Sequence, residues 1–186
     1  MPSSSTTATP RERPRPSVTR RRLRWERPWQ EHLQLYRALF ADPAVARALW
    51  PAGSARGALE DRGEEVLAAD IRHWQERSFG PWAFFSTETG LFVGRGGLAT
   101  TTMAGRQCVE VAYAVRPEEW GQGYATEMAA VAVAYARTLG LSEVVGFTAA
   151  GNHASRRVLE KCGMRYERTV QRAGIAHWLG GLHPIV

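Results

Sequence analysis

Two glycines flank a glutamine in RPEEWGQGYATE, residues 116 to 127. Gly121 and Gly123 carry no side-chain bulk and tolerate unusual dihedrals. Such a pair serves either an ordinary tight turn or the close approach of another molecule to the backbone. The neighbouring residues point to the second use. An apolar, strand-like run (residues 109–115) leads into the motif, and an alanine-rich, helix-like run follows it. Amides at a strand-to-helix junction lack intrahelical acceptors and converge on a common volume. A pyrophosphate suits them, helped by the helix dipole. Neither G-x-G-x-x-G nor a terminal GK[ST] is present, which lowers the rank of NAD binding and of simple ATP hydrolysis.

The elements that must position this loop follow from periodicity. Residues 19–28 could enter the domain as an edge strand. Trp29, Leu33, Tyr36 and Phe40 recur at helical spacing up to the break at Asp42-Pro43. A shorter segment then carries Val45, Leu49 and Trp50. Residues 59–77 predict a surface helix, although Gly63 is a poor helix former. From residue 82 the period changes. WAFFS and LFVGRGGLATT predict two strands joined by TETG, and QCVEVAYAV predicts a third after MAGR. A helix from Tyr124 ends near Gly140, a strand covers SEVVGFTA, and a short helix starts at Asn152, a good cap. MRYERTVQR and AHWLGGL complete the sheet. Helices, then a meander, then strand–helix–strand–helix–strand predict a mixed α/β or α+β sheet rather than a regular Rossmann series.

The 186 residues suit one domain, here residues 19–186, behind a Ser-, Pro- and Arg-rich tail (residues 1–18) that reads as disordered. The net charge of +6 resides in that N-terminal region. Residues 1–24 hold seven arginines and one glutamate, and the rest is balanced at 17 basic and 17 acidic residues. A specific nucleic-acid footprint on the body is therefore not expected. No apolar run is long enough to span a bilayer and no secretory signal pattern opens the chain, so the expected location is cytoplasmic. Cys108 and Cys162 lack further ligand spacing, and His153 and His177 form no metal pattern, so no metal is expected.

Together these segments resemble the GCN5-related N-acetyltransferase superfamily, especially the branch that acetylates ribosomal-protein N-termini. Its pyrophosphate loop follows Gln/Arg-x-x-Gly-x-Gly/Ala. The last two marked positions fall on Gly123 and Ala125, and Trp120 occupies the first. NHASRRVLEKCGM is similar to the second recurring segment of the family, with Asn152, Ser155, Leu159, Lys161, Gly163 and Met164 in family-like places. The resemblance covers residues 20 to 182.

It implies the family's mixed, mostly antiparallel sheet flanked by helices, and acetyl-CoA as acyl donor. Backbone groups of Ala114, Val115 and Arg116 would track the pantetheine. Amides around Gly121, Gln122, Gly123, Tyr124, Ala125 and Thr126 would hold the pyrophosphate beside Trp120. Asn152 would orient the pantetheine, and Arg157 would approach the nucleotide end. Transfer would be direct, with Glu110 as general base and the Val115 amide as donor to the carbonyl oxygen. Relatives often place a tyrosine acid where this chain has Leu159, which leaves Ser155 as the substitute. Local hydrogen bonding is the plainer role for Ser155. Asn152 could simply cap its helix, Arg157 could be solvated, and Trp120 could pack beneath the loop. The expected acceptor is a protein or peptide N-terminal α-amine, followed by a small-molecule amine. A noncatalytic acyl-CoA sensor is the alternative outside catalysis. Trp29, Tyr36, Trp50, Trp74, His177 and Trp178 could shape an acceptor groove, the core or a homodimer face.

Overall fold

The apolar strands predicted from residue 82 onward build the middle of a seven-stranded sheet. The computed structural model describes residues 21–50, 59–103 and 105–182, so the predicted tail at 1–18 lies outside the described residues. The chain runs β1 (Leu23–Glu26), α1 (Leu33–Ala41), α2 (Pro43–Leu49), α3 (Leu59–Arg77), β2 (Pro81–Ser86), β3 (Phe92–Met103) and β4 (Arg106–Val115). It continues through α4 (Tyr124–Thr138), β5 (Val144–Ala149), α5 (His153–Lys161), β6 (Met164–Arg172) and β7 (Ile175–Leu182). The strand order is β1-β2-β3-β4-β5-β7-β6. Every neighbouring pair is antiparallel except β4 and β5. This is the expected mixed α/β sheet with helices on both faces.

Alternation sends successive β4 side chains to opposite faces. Ala114 packs with Tyr36, Phe40, Leu67 and Phe92 beneath α1–α3. Val111 packs on the other face with Leu98, Ala132, Val144, Leu159 and Trp178, beneath α4 and α5. Gly63, a poor residue for helix propensity, serves packing instead. A Cβ there would stand 2.5 Å from the Arg37 Cα, so its absence allows α1 and α3 to approach backbone to backbone. Asp42 ends α1 and caps α2, accepting from the Ala44 and Val45 amides at 2.7 and 3.3 Å.

One polar group interrupts the α1–α3 layer. Asp70 of α3 accepts from Arg95 Nε and Nη2 of β3 at 2.8 and 2.6 Å, and from the Tyr36 hydroxyl of α1 at 3.1 Å. The carboxylate is buried and the guanidinium nearly so. Burial raises the Tyr36 hydroxyl well above its ordinary pKa, and the Asp70 charge adds to the rise. For Arg95, burial disfavours the charge, but Asp70 more than offsets it and the guanidinium stays protonated. Removing one member of such a pair strands the other charge in an apolar layer. Asp70→Ala is therefore expected to lower unfolding free energy by about 3–5 kcal/mol, measured by urea denaturation. A loss below about 1 kcal/mol, the scale of an exposed pair, would show that Arg95 is solvated without Asp70.

Candidate active site

β4 and β5 share only two registered pairs, Val109↔Val144 and Glu110↔Val145. Beyond them β4 runs on to Val115 and β5 to Ala149 without pairing to each other. A cleft of about 400 Å³ opens along this parting. It crosses the sheet. Glu110, Ala112 and Ala114 face the α1–α3 side, where Phe40, Trp50 and Val66 line it. Tyr113 packs toward α4, and Asn152 and Ser155 of the α5 N-terminal turn line the cleft with it.

Glu110 stands on the last shared pair. Part of its side chain meets the cleft, but Oε2 is buried with no hydrogen-bond partner among the described residues. Burial pushes its pKa from 4.5 up to about 7, with Arg172 and then Arg95 pulling the other way. A carboxyl titrating near neutrality, with an unshared oxygen in a cleft, can take a proton from an incoming group.

Opposite, the Tyr113 hydroxyl donates to the Ser155 carbonyl at 2.9 Å and shares a bond of 2.9 Å with Ser155 Oγ. Burial holds the Tyr113 hydroxyl above its ordinary range, and the Ser155 bond partly offsets this. Asn152 does cap α5. Its Oδ1 accepts from the Ser155 amide at 3.1 Å, and its Nδ2 donates to the Ala48 carbonyl at 3.4 Å, tying α5 to α2. Leu159 is buried and Arg157 is exposed on the same helix.

The glycine loop adjoins the far end of β4. Trp120 Nε1 donates to the Val115 carbonyl at 2.7 Å, which pins the loop to the strand while leaving the indole half exposed. Gly121 and Gly123 adopt φ of 78° and 86°, and Gly123 is the N-cap of α4 without any side-chain cap. The Thr126 and Glu127 amides bond the Gly123 carbonyl. Among the described residues no well-formed hydrogen bond takes up the amides of Gly121 through Ala125, and a Cβ at Gly121 would meet nothing within 4 Å. Arg22 reaches from the start of the described chain, donates to the Gln122 carbonyl and Glu127, and lies 4.7 Å from the Tyr124 ring centroid. The Arg116 amide bonds the Val93 carbonyl across β3, so alternation turns the Val115 amide away from β3, toward the parting. Free amides, an open strand edge and a glycine loop flanked by the cationic Arg22 fit a diphosphate and its extended arm.

The predicted residues thus lie along one line, from the loop through Val115 to Glu110, with Asn152 and Ser155 beside it. Arg95, Asp70, Arg172 and Tyr113 were not singled out from sequence. Arg95 alone left a signal, as a charge between glycines in an otherwise apolar run, FVGRGGL. Cys108 and Cys162 are free thiols whose pKa values burial raises, so neither resembles an activated nucleophile. Among the described residues no group of His, Cys, Asp and Glu could hold a metal, and no helix is long and apolar enough to cross a membrane.

A fold of this topology, with a parted parallel pair and a glycine-lined anion cradle, is that of an acyl-CoA transferase. The acetyltransferase (GNAT) domain matches residues 22–165, and the chain belongs to that family of acetyl-CoA-dependent acetyltransferases. It is 27% identical over 148 residues to the uncharacterized protein YkkB of Bacillus subtilis, covering 77% of this chain and 81% of that one. It is 42% identical over 98 residues to FsC-acetyl coenzyme A-N(2)-transacetylase of Aspergillus fumigatus, covering 49% of this chain and 41% of that one, well under half its length. A putative GnaT-family acetyltransferase from Bordetella pertussis superposes with a TM-score of 0.72 at 24% identity, covering 89% and 98% of the two chains.

The cradle predicts a specific defect. A β-branched residue at 123 would be forced into the left-handed region and would crowd the approach to the amides. Gly123→Val is expected to weaken coenzyme A binding about tenfold or more, since strain of about 1–2 kcal/mol per residue already approaches that factor. Calorimetry on folded protein measures it, and unchanged affinity would place the diphosphate elsewhere.

Proposed function

We propose that this protein transfers the acetyl group of acetyl-CoA directly to a primary amine, with Glu110 as general base. The buried, unshared Glu110 carboxyl at the parting of β4 and β5 carries this reading. The donor supplies a thioester carbonyl, and the chain supplies the rest. The amides of Gly121–Ala125 bind the diphosphate, and Asn152 and the open edge of β4 hold the arm. Arg157 reaches the nucleotide end. The Val115 amide donates to the carbonyl oxygen as charge develops there. Glu110 takes the ammonium proton of the acceptor, through an ordered water, because only the neutral amine attacks. Coenzyme A leaves as a thiolate while the attacking nitrogen sheds its second proton. Ser155, held by Tyr113, protonates the sulfur and regains that proton through water, and Glu110 releases its own proton to solvent.

The acceptor that fits first is an α-amine at a protein or peptide N-terminus, the acceptor type of the ribosomal-protein branch that the two motifs resemble. A small-molecule amine is the second reading, favoured by a relative whose name specifies transfer to N(2). A screen of peptide N-termini, lysine peptides and small amines tests both, read by thiol release and by gain of one acetyl group in the product mass. Acetylation of small amines alone would move the assignment to the second reading.

The base role has its own test. Turnover should rise with pH through about 7 and then level, following Glu110. Glu110→Gln should abolish that limb and lower turnover about 10²–10⁴-fold, with little change in acetyl-CoA affinity. Stability should move oppositely. The folded-state pKa lies above the ordinary 4.5, so wild-type stability is fully present below 4.5 and declines as pH rises through about 7. The glutamine variant lacks this decline. Equal pH–rate profiles for the two proteins would remove Glu110 from the reaction.

A further inference from the structure

The acceptor side of the cleft is lined by two guanidinium groups and a single carboxylate, Glu110. Their surroundings differ. Arg95 is held in place by Asp70 through Nε and Nη2, which leaves Nη1 uncommitted among the described residues. Arg172 closes β6. A two-residue turn follows it, Ala173-Gly174, with φ of 49° and 77° at the two positions. Positive φ at both central residues marks the tight hairpin turn that matches strand twist. Arg172 therefore pairs directly with Ile175, and both residues line the cleft. The Arg172 guanidinium carbon stands 4.5 Å from the centre of the Phe147 ring, itself part of the lining. Among the described residues Arg172 makes no ion pair, and its field reaches Glu110.

These groups do not suit every amine. A cationic chain beyond the reacting nitrogen would meet two positive groups in a partly enclosed space. Glu110 cannot compensate such a chain and also receive the ammonium proton. An oxyanion on the acceptor would meet an uncommitted Arg95 Nη1 and an unpaired Arg172, both presented on strands. Guanidinium groups pair carboxylates with charge-assisted hydrogen bonds, the strong class of protein hydrogen bond.

We propose that the acceptor amine carries a carboxylate, which Arg172 and Arg95 bind while the amine faces Glu110. This rests on the amine-acetyltransferase reading above and narrows its acceptor class. Two sources share the chemistry: a free amino-acid-like molecule, and a peptide with an acidic side chain near its N-terminus. Polyamines fall outside the class.

Matched acceptors test it. Initial rates are compared for amino acids against their carboxamides, and for peptides with glutamate against glutamine at the second position. Wild type should favour the carboxylate member of at least one pair by about 10- to 100-fold in kcat/KM, as expected for a charged hydrogen bond. The pair that discriminates identifies the source. Arg172→Gln, at an exposed hairpin end, should erase the preference within each pair measured at one pH, with KM for acetyl-CoA unchanged. Loss of its charge also raises the Glu110 pKa, which slows both members of a pair alike and leaves their ratio as the readout. Equal kcat/KM within every pair, or a preference that persists in the variant, overturns the proposal. Calorimetric binding of the N-acetylated carboxylate products adds a readout independent of turnover. Arg172-dependent binding without turnover of any acceptor would support the carboxylate site and reject the transferase reading. Turnover without discrimination would do the reverse.

Discussion

Two parallel strands that start together and do not stay together set the terms for the rest of this structure. β4 and β5 pair at Val109↔Val144 and Glu110↔Val145 and then part. Each strand beyond that point keeps its outer neighbour, β3 on one side and β7 on the other. The inner edges are left with backbone groups that the sheet does not satisfy, and such groups are costly to bury without partners. An opening through a sheet is stable here because helices cover both faces and α5 inserts its capped N-terminus beside it. The Asn152 bond to Ala48 joins the helices of the two faces across the opening.

The parting also explains the electrostatics. A glutamate within a fully paired sheet would normally point to solvent or find a partner. Glu110 does neither, because it faces a space that the strands themselves created. Its Oε2 has lost water without gaining a donor, which is the physical origin of its raised pKa. Arg95 lies nearby in a different condition. Asp70, itself bonded by the Tyr36 hydroxyl, accepts from Arg95 Nε and Nη2, so the Arg95 charge is retained. One layer thus holds a carboxyl that gains or loses its proton near neutrality and a guanidinium that keeps its own.

Much of this was legible in the sequence, for reasons that differ by element. β2 through β4 could be read because alternating and continuous apolar runs report burial directly. The glycine loop could be read because positive φ at positions 121 and 123 restricts the residue type. Gly63 shows what propensity alone misses. It only weakened the helix expected over residues 59–77, and the helix does run from Leu59 to Arg77, with the missing Cβ at Gly63 giving room to the Arg37 backbone. Asp70 with Arg95, Tyr113 with Ser155, and Arg172 over Phe147 were invisible for a related reason. Each joins residues 25 or more positions apart. Nothing in either partner's local sequence specifies the other, and the pairing exists only once the sheet order is known. The residues read best from sequence are therefore those constrained by their own backbone, and those read least are constrained by one another.

In the proposed reaction the glycine loop holds its anion through the main chain, and this has a consequence for how such a protein can change. Every residue type except proline offers the same amide, so donor recognition depends on the path of the chain far more than on side-chain identity. The acceptor side is built the opposite way, from the tips of side chains such as Trp50, Arg95 and Arg172. The two halves of the cleft can therefore drift at different rates. One keeps its partner through broad replacement of side chains, provided its turn survives. The other can be rewritten residue by residue, and each exchange offers a new amine to an unaltered donor.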